Sequence, residues 1–393
     1  MKIKVKGGVS DAGHLKTLMG VNFQTPSIED KSGNTLQDSQ QAGRFFDLCM
    51  DYMRQPNGSE TYHIKNRNDK NVQAFYNDIL PKLPSDVKHD ITWPLQVPAR
   101  DIPNWNHGRL NRIAFFNEMP MHTGNGKEFA TVEDGVQALV DFCSNASGWS
   151  DLLWFHTGKP ELLGRNLIGS KGEDTHREYL EQTSAMVKAG KLPNRIATTH
   201  KLNSDYSDDP FAFYTDMLQR YRNYFGDDVK VLFHEYKNKS GEMDSFEQVQ
   251  LVAQFLTIMS RLKYETGNVE GGSFQCVGGP GTTNIFGLNN PQERKWVTAT
   301  MYKLWEMFAS VAREGVYVDS TIEDKSPNVD ASVFKVDRDY CIIYSNVGNT
   351  DEHLPIPAST IEYIDSSMER KEGSFVKKLP ANSVGVVWQR GIN

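Results

Sequence analysis

The chain has 393 residues, 38 % of them hydrophobic and 24 % charged, enough for a large soluble domain of roughly 300 residues beside a small one. A formal charge of −7, with Lys and Arg scattered, leaves no basic stripe for nucleic acid and no polybasic arm for anionic lipid. Cys49, Cys143, Cys276 and Cys341 stand far apart, with no C-x-x-C and no zinc spacing, which points to free thiols in a reducing compartment.

The opening "MKIKVKGGVSDAG" has no apolar signal core, and no run of about 18 apolar residues follows anywhere. The expectation is a chain that is cytoplasmic, released by lysis, or carried in a particle. Short β-rich runs then alternate with helical patterns: "LMGVNFQT", a weaker "CMDYMRQPNG", "DITWPLQVP", "RIAFFNEMP", "SDLLWFHTG", "NRIATTHKL", "VKVLFHEYK" and "VEGGSFQCVGG". Apolar residues at i, i+3, i+4 predict helices over Ser39 to Met53, Asn71 to Leu80, Val132 to Cys143, Thr175 to Val187, Pro210 to Phe225, Phe246 to Leu262 and Arg294 to Val311. "TVEDG" and "DSFEQ" read as helix caps followed by an acid.

Strand followed by helix, seven or eight times over, implies parallel strands. A (β/α)8 TIM barrel over residues 13–318 fits better than an open doubly wound sheet, whose glycine-rich first turn is missing. "GGPGTTN", Gly278 to Asn284, lacks a P-loop lysine and reads as a loop. After Asp319 the pattern becomes short alternating strands broken by Asn, Gly and Pro, the texture of a small C-terminal β-sandwich over 319–393. "MKIKVK", within residues 1–12, is a candidate extra strand for it.

Two of the barrel runs end in a carboxylate: Glu118 closes "FFNEMP" and Glu235 closes "VKVLFHEYK". An acid against an apolar run is rarely idle, and in a barrel the C-terminal strand ends form the active face. Two carboxylates facing across that mouth suit glycoside hydrolysis, one donating a proton and one attacking the anomeric carbon, with about 5 Å between them for retention.

On these residues the chain resembles the clan of retaining (β/α)8 glycosidases, in which Asn-Glu ends the fourth strand and Glu the seventh. "NEMP" resembles the first motif and "VLFHEYKN" the second, where Thr-Glu-x-Asn is more usual. "MRQPNGSETYHI" looks like the clan's second-strand R-x-P-G-G turn, and "LPANSVGVVWQ" is similar to the last strand of its accessory β-domain. The β-agarase and β-porphyranase type and the arabinofuranosidase and xylosidase types are the members it looks most like. The resemblance implies Glu118 as acid and base, Glu235 as nucleophile, Asn117 on the sugar hydroxyl beside the reacting carbon, and Arg54 holding the nucleophile ionised. It also admits another register. "HTGKPEL" occupies the place of a family "E-x-G-N-E-P-E-L" segment, with Lys159 and Pro160 where Asn and Glu are expected, which makes "FFNEMP" the third strand and leaves the general acid missing or displaced to Glu161.

Trp93, Trp105 and Trp154 are candidates to stack on sugar rings, or to be packed tryptophans. His156, His200 and His234 end three runs, and with Tyr236 they are candidates to line the cleft. No acidic ligand at fixed spacing joins the histidines, so the reading includes no metal, and the two-carboxylate chemistry needs no cofactor. The expectation is a monomeric glycoside hydrolase acting on a polysaccharide, with neither nucleic acid nor membrane as partner. Two alternatives stay open. One is a glycosidase-like barrel without hydrolysis that binds carbohydrate or builds a particle such as a phage; the other is a metal-dependent hydrolase using the histidines.

Overall fold

The computed structural model describes residues 1–23, 26–48, 52–54, 70–93, 98–105, 108–116, 129, 131–157, 171–202, 209–238, 245–275, 278–280, 284–289 and 292–390. After a leading strand β1 (Lys2–Val9), eight strands close a barrel in chain order: β2 (Gly20–Asn22), β3 (Tyr52–Arg54), β4 (Lys88–Trp93), β5 (Leu110–Phe115), β6 (Leu153–His156), β7 (Arg195–Leu202), β8 (Lys230–Asn238) and β9 (Val269–Gln275). Every pairing is parallel, including β9 back to β2. All eight β-rich runs read in the sequence supply these strands.

The crossovers carry α1 (Ala42–Leu48), α2 (Lys70–Ala74), α3 (Val132–Asn145), α4 (Lys171–Lys188), α5 (Pro210–Phe225) and α6 (Phe246–Thr266), and α7 (Thr300–Ala312) follows β9. Between β4 and β5 the described residues form a 3-10 helix, Ala99–Trp105, rather than an α-helix, so the strand–helix units are not all equal. Caps start the helices where the sequence placed them. Thr131 and Asp134 make a reciprocal capping box, and the Ser245 side chain accepts from the Gln248 N–H.

Two expected helices end differently. The one read over Ser39 to Met53 is a helix over the described Ala42–Leu48, and Tyr52–Arg54 at its far end is taken into the barrel as β3. The one read from Arg294 starts at Thr300, because Trp296–Thr298 pairs in a small sheet of order β10 (Gly278–Pro280), β11 (Phe286–Leu288), β12 (Trp296–Thr298). The start of the expected "GGPGTTN" loop is thus a strand. A Cβ at Gly278 would lie 2.8 Å from Leu36 Cδ2 and 3.0 Å from Phe23 Cε2, so a larger residue there would have to push those side chains aside.

Period-two alternation sorts the barrel residues. Val21, Ile91, Ile113, Phe115, Leu153, Phe155, Ile196, Val231 and Phe233 join the main core. Ala114, Trp154, Ala197 and Leu232 form a separate buried cluster, filling the barrel as one layer from four successive strands. Three small or medium residues leave room for the one indole.

The C-terminal strands β13 (Val316–Glu323), β14 (Val329–Val336), β15 (Asp339–Asn346), β16 (Glu352–Asp365), β17 (Arg370–Leu379) and β18 (Ser383–Gln389) form an antiparallel sheet with β1, in the order β1-β13-β14-β15-β18-β16-β17. β1 pairs with β13 from Lys2↔Glu323 onward, so the opening strand does join the C-terminal strands. Alternation splits this sheet too. Cys341, Ile343, Val384 and Val386 belong to the main core, whereas Ile342, Tyr344, Ile361 and Val387 close a smaller core of their own.

Helix α6 is buried along most of its length because it packs on both the barrel and the sheet. Hydrogen bonds fix that second contact: Ser332 Oγ donates to the Thr257 carbonyl (2.7 Å) and Gln254 Nε2 to Asp330 Oδ2 (3.0 Å). Cys143 and Cys341 are free thiols, both pushed up by burial, Cys143 to about 12. No described helix is long and apolar enough to cross a membrane.

Candidate active site

Counted around the barrel from β2, the strand ending at Phe115 is the fourth and the one carrying Glu235 is the seventh. The alternative register, which made "FFNEMP" the third strand, does not match this order. Asn117, Glu118 and Glu161 lie outside the described residues, and so do the side chains of Arg54 and Trp105. Arg54 is placed by its backbone alone, paired with Asn22 on one side and Asp90 on the other.

The backbone leading to Asn117 and Glu118 is unusual. Phe116 has φ 59°, in the left-handed region that a bulky side chain adopts only at a cost of order 1–3 kcal/mol. The surroundings hold it there: its N–H donates to the Trp93 carbonyl (3.0 Å) and its ring packs on Phe115 and Phe142. The left-handed residue thus stands directly before the Asn-Glu pair in the sequence.

Glu235 is buried, 3 % exposed, and a bulge positions it. Along β8, Phe233 packs outward on Phe255, and so does Tyr236, which also meets Phe274. Strict alternation would leave one residue between two outward-facing ones, but here there are two. The pairing shows the same extra residue, moving from Ala197↔Leu232 to Thr199↔Glu235 on one side and from Phe233↔Gly272 to Tyr236↔Phe274 on the other. A bulge of this kind sets two consecutive side chains on one face, so His234 and Glu235 both belong to the inner face.

Around Glu235, toward the C-terminal strand ends, lies a layer of buried polar groups. His156 Nε2 and His234 Nδ1 are 3.3 Å apart. Asn22, at the end of β2, is wholly buried, and neither Oδ1 nor Nδ2 has a hydrogen-bond partner among the described residues. The same holds for Thr199 Oγ1, on the residue paired with Glu235, and for the buried Gln275 Oε1 at the end of β9, whose residue pairs with Asn22. Buried polar atoms are nearly always bonded, so unsatisfied ones gathered at one end of a barrel suit a polar ligand. Asn22, Thr199 and Gln275 were not singled out from the sequence. Asn22 carries the signal that marked Glu235, a polar residue closing an apolar run, whereas Thr199 lies inside β7 and Gln275 ends a glycine-rich strand.

The opposite end of the barrel is plugged by charge. Arg112 pairs with Asp90 (3.0 Å) and Glu270 (3.6 Å) and lies 5.8 Å from the Trp154 ring centre. Trp154 is buried beneath the histidine pair as barrel filling, not as a platform for sugar. Trp93 packs outward on Phe142. Two more expected cleft residues face the helices instead. His200 Nε2 lies 2.9 Å from the Tyr214 hydroxyl, and the Tyr236 hydroxyl donates to the Leu18 carbonyl (2.8 Å). Both occupy outward positions of their strands, where apolar helix faces cover them. No group of three or more His, Cys, Asp or Glu suited to a metal occurs among the described residues.

At the C-terminal end of the barrel, the loop after β2 and the small β10–β12 sheet after β9 are joined. Trp296 Nε1 donates to the Asn34 carbonyl (3.0 Å), and the Lys31 N–H to the Arg294 carbonyl (2.9 Å).

The sequence matches no protein-family model and no curated protein. Its fold, however, is shared with solved structures. An α-L-arabinofuranosidase from Thermotoga maritima, in complex with arabinose, superimposes with a TM-score of 0.68 at 10 % identity, covering 98 % of this chain and 99 % of that one. A β-porphyranase of glycoside hydrolase family 86 from Bacteroides plebeius gives 0.62 at 12 % identity, covering 98 % and 74 %. A family 30 endoxylanase from Clostridium papyrosolvens gives 0.60 at 13 % identity, covering 100 % of both chains. The protein has the fold of these glycoside hydrolases over almost its whole length.

Proposed function

We propose that this protein is a retaining glycoside hydrolase acting on a polysaccharide. The observation that carries the reading is Glu235, buried on the inner face of the seventh barrel strand and surrounded by polar groups, some of them unsatisfied, in a fold shared with glycosidases. In this reading residues 13–318 are a (β/α)8 catalytic barrel and 319–393, with the strand from 1–12, an accessory β-domain built on one antiparallel sheet rather than the two of the expected sandwich, whose first strand already begins at Val316.

Glu235 attacks the anomeric carbon, and Glu118, following the fourth strand, protonates the departing oxygen. Glu118 then takes a proton from the water that releases the sugar. Asn117 and Arg54 keep the binding roles that the resemblance implies, joined by Asn22, Thr199 and Gln275, whose amide and hydroxyl groups suit sugar hydroxyls. The carboxylates supply both the proton and the covalent intermediate, so no cofactor is invoked.

The test is release of reducing ends from a panel of plant, algal and bacterial polysaccharides, with the anomer of the first product read by NMR. The expected result is cleavage with retention, reduced roughly a hundredfold or more in both Glu118→Gln and Glu235→Gln but not in Glu161→Gln. Binding of a polysaccharide without cleavage would instead support the non-hydrolytic alternative.

A further inference from the structure

A bulge takes backbone groups out of the ladder, so the bulged strand needs support from outside its own pairing. At His234 that support comes from both sides. Ser273 Oγ on β9 donates to the His234 carbonyl (2.7 Å), while His156 on β6 meets the imidazole through a nitrogen pair 3.3 Å apart. His156 is itself held, because the Tyr179 hydroxyl on α4 donates to its carbonyl (2.5 Å). His156, Tyr179, His234 and Ser273 are all wholly buried. A chain of bonds thus runs from α4 through β6 to the bulge and on to β9, and the residue it grips is the one before Glu235.

We infer that His156, His234 and Ser273 are positioning residues that fix the bulge and so aim the Glu235 carboxylate, rather than ligands of the sugar. The inference rests on the reading of Glu235 as nucleophile. Between two imidazole nitrogens one must donate and the other accept, so the bond ties the tautomer of one ring to that of the other and holds the two rings in register. A carboxylate one residue away inherits that rigidity. Displacing a reacting group by about 1 Å can cost on the order of a hundredfold in rate.

The test pairs crystal structures with kinetics on whichever panel polysaccharide the wild type cleaves. In His156→Ala the Glu235 carboxylate should shift by about 1 Å, and kcat should fall roughly a hundredfold with KM within about threefold. His156→Gln, which keeps a hydrogen-bonding group toward His234, should recover most of kcat. Ser273→Ala should shift the same carboxylate and carries the test if His156→Ala does not fold. An unmoved carboxylate overturns the inference whatever the rate, and so does a raised KM with kcat retained, the mark of a sugar ligand. If the wild type cleaves nothing, the glycosidase reading fails, and the carboxylate position in the variants still decides whether the brace exists.

Discussion

Neither polar atom of the Asn22 amide has a hydrogen-bond partner among the described residues, and that has a measurable consequence. A buried amide whose donor and acceptor are both unpaired costs about 1–3 kcal/mol, so a similarly shaped apolar side chain is tolerated or preferred. Asn22→Leu should therefore leave the melting temperature unchanged or raise it, while kcat/KM falls roughly tenfold to a hundredfold. A Tm drop of several degrees would show that the amide is part of the scaffold. Glu235 was legible because an acid ends an apolar run. The facing of His200 and Tyr236 was not, since a polar or aromatic residue at a strand end reads the same whether it faces the cleft or the helices. The contacts with Tyr214 and Leu18 that decide it come from elements 14 and 218 residues away.

Seven barrel strands were visible as β-rich runs and β3 as a weaker one, most of them apolar because a strand covered by helices on one side and barrel filling on the other is apolar on both faces. The one-residue slip in β8 was present too, in "VLFHEY", where Val231, Phe233 and Tyr236 break the period of two. Nothing local says that such a slip is a bulge rather than a strand end. Helix lengths were less legible: Ser39 to Met53 keeps its apolar spacing past Leu48, and only closure of the barrel assigns Tyr52–Arg54 to β3. In the C-terminal sheet, Gly385 faces the Glu362 carbonyl oxygen and the ring of Tyr344 with no room for a Cβ. Gly385→Ala should cost about 1–3 kcal/mol in urea denaturation, and an unchanged midpoint would mean that β16 can move away from β18.

For the molecule as a whole, the junction of barrel and sheet is pH-sensitive. His14 donates from Nε2 to the Ser260 carbonyl of α6 (2.7 Å) and stacks on Tyr317 of β13 (5.4 Å). Burial, followed by the charge of Lys263, lowers its pKa from the ordinary 6.5 to about 4, while the Ser260 bond and Asp11 oppose the shift. The unfolded chain therefore binds a proton in this window that the folded one refuses. Stability is fully present above pH 6.5 and falls as the pH drops to about 4, by roughly 3 kcal/mol from this residue. Asp330, raised chiefly by burial at the same junction, works in the opposite direction just above its ordinary 3.8. His14→Gln should flatten the loss between pH 6.5 and pH 4, and an unchanged slope would assign it to other groups. The same shared core holds the barrel in shape around Glu235, on which the functional account depends. The most direct test of that account is covalent trapping. The protein is incubated with a 2-deoxy-2-fluoro glycoside of the sugar it releases from polysaccharide, digested, and mapped by mass spectrometry. The account predicts a single glycosyl adduct, on Glu235, absent from Glu235→Gln. An adduct on another residue, or full turnover by Glu235→Gln, would contradict it.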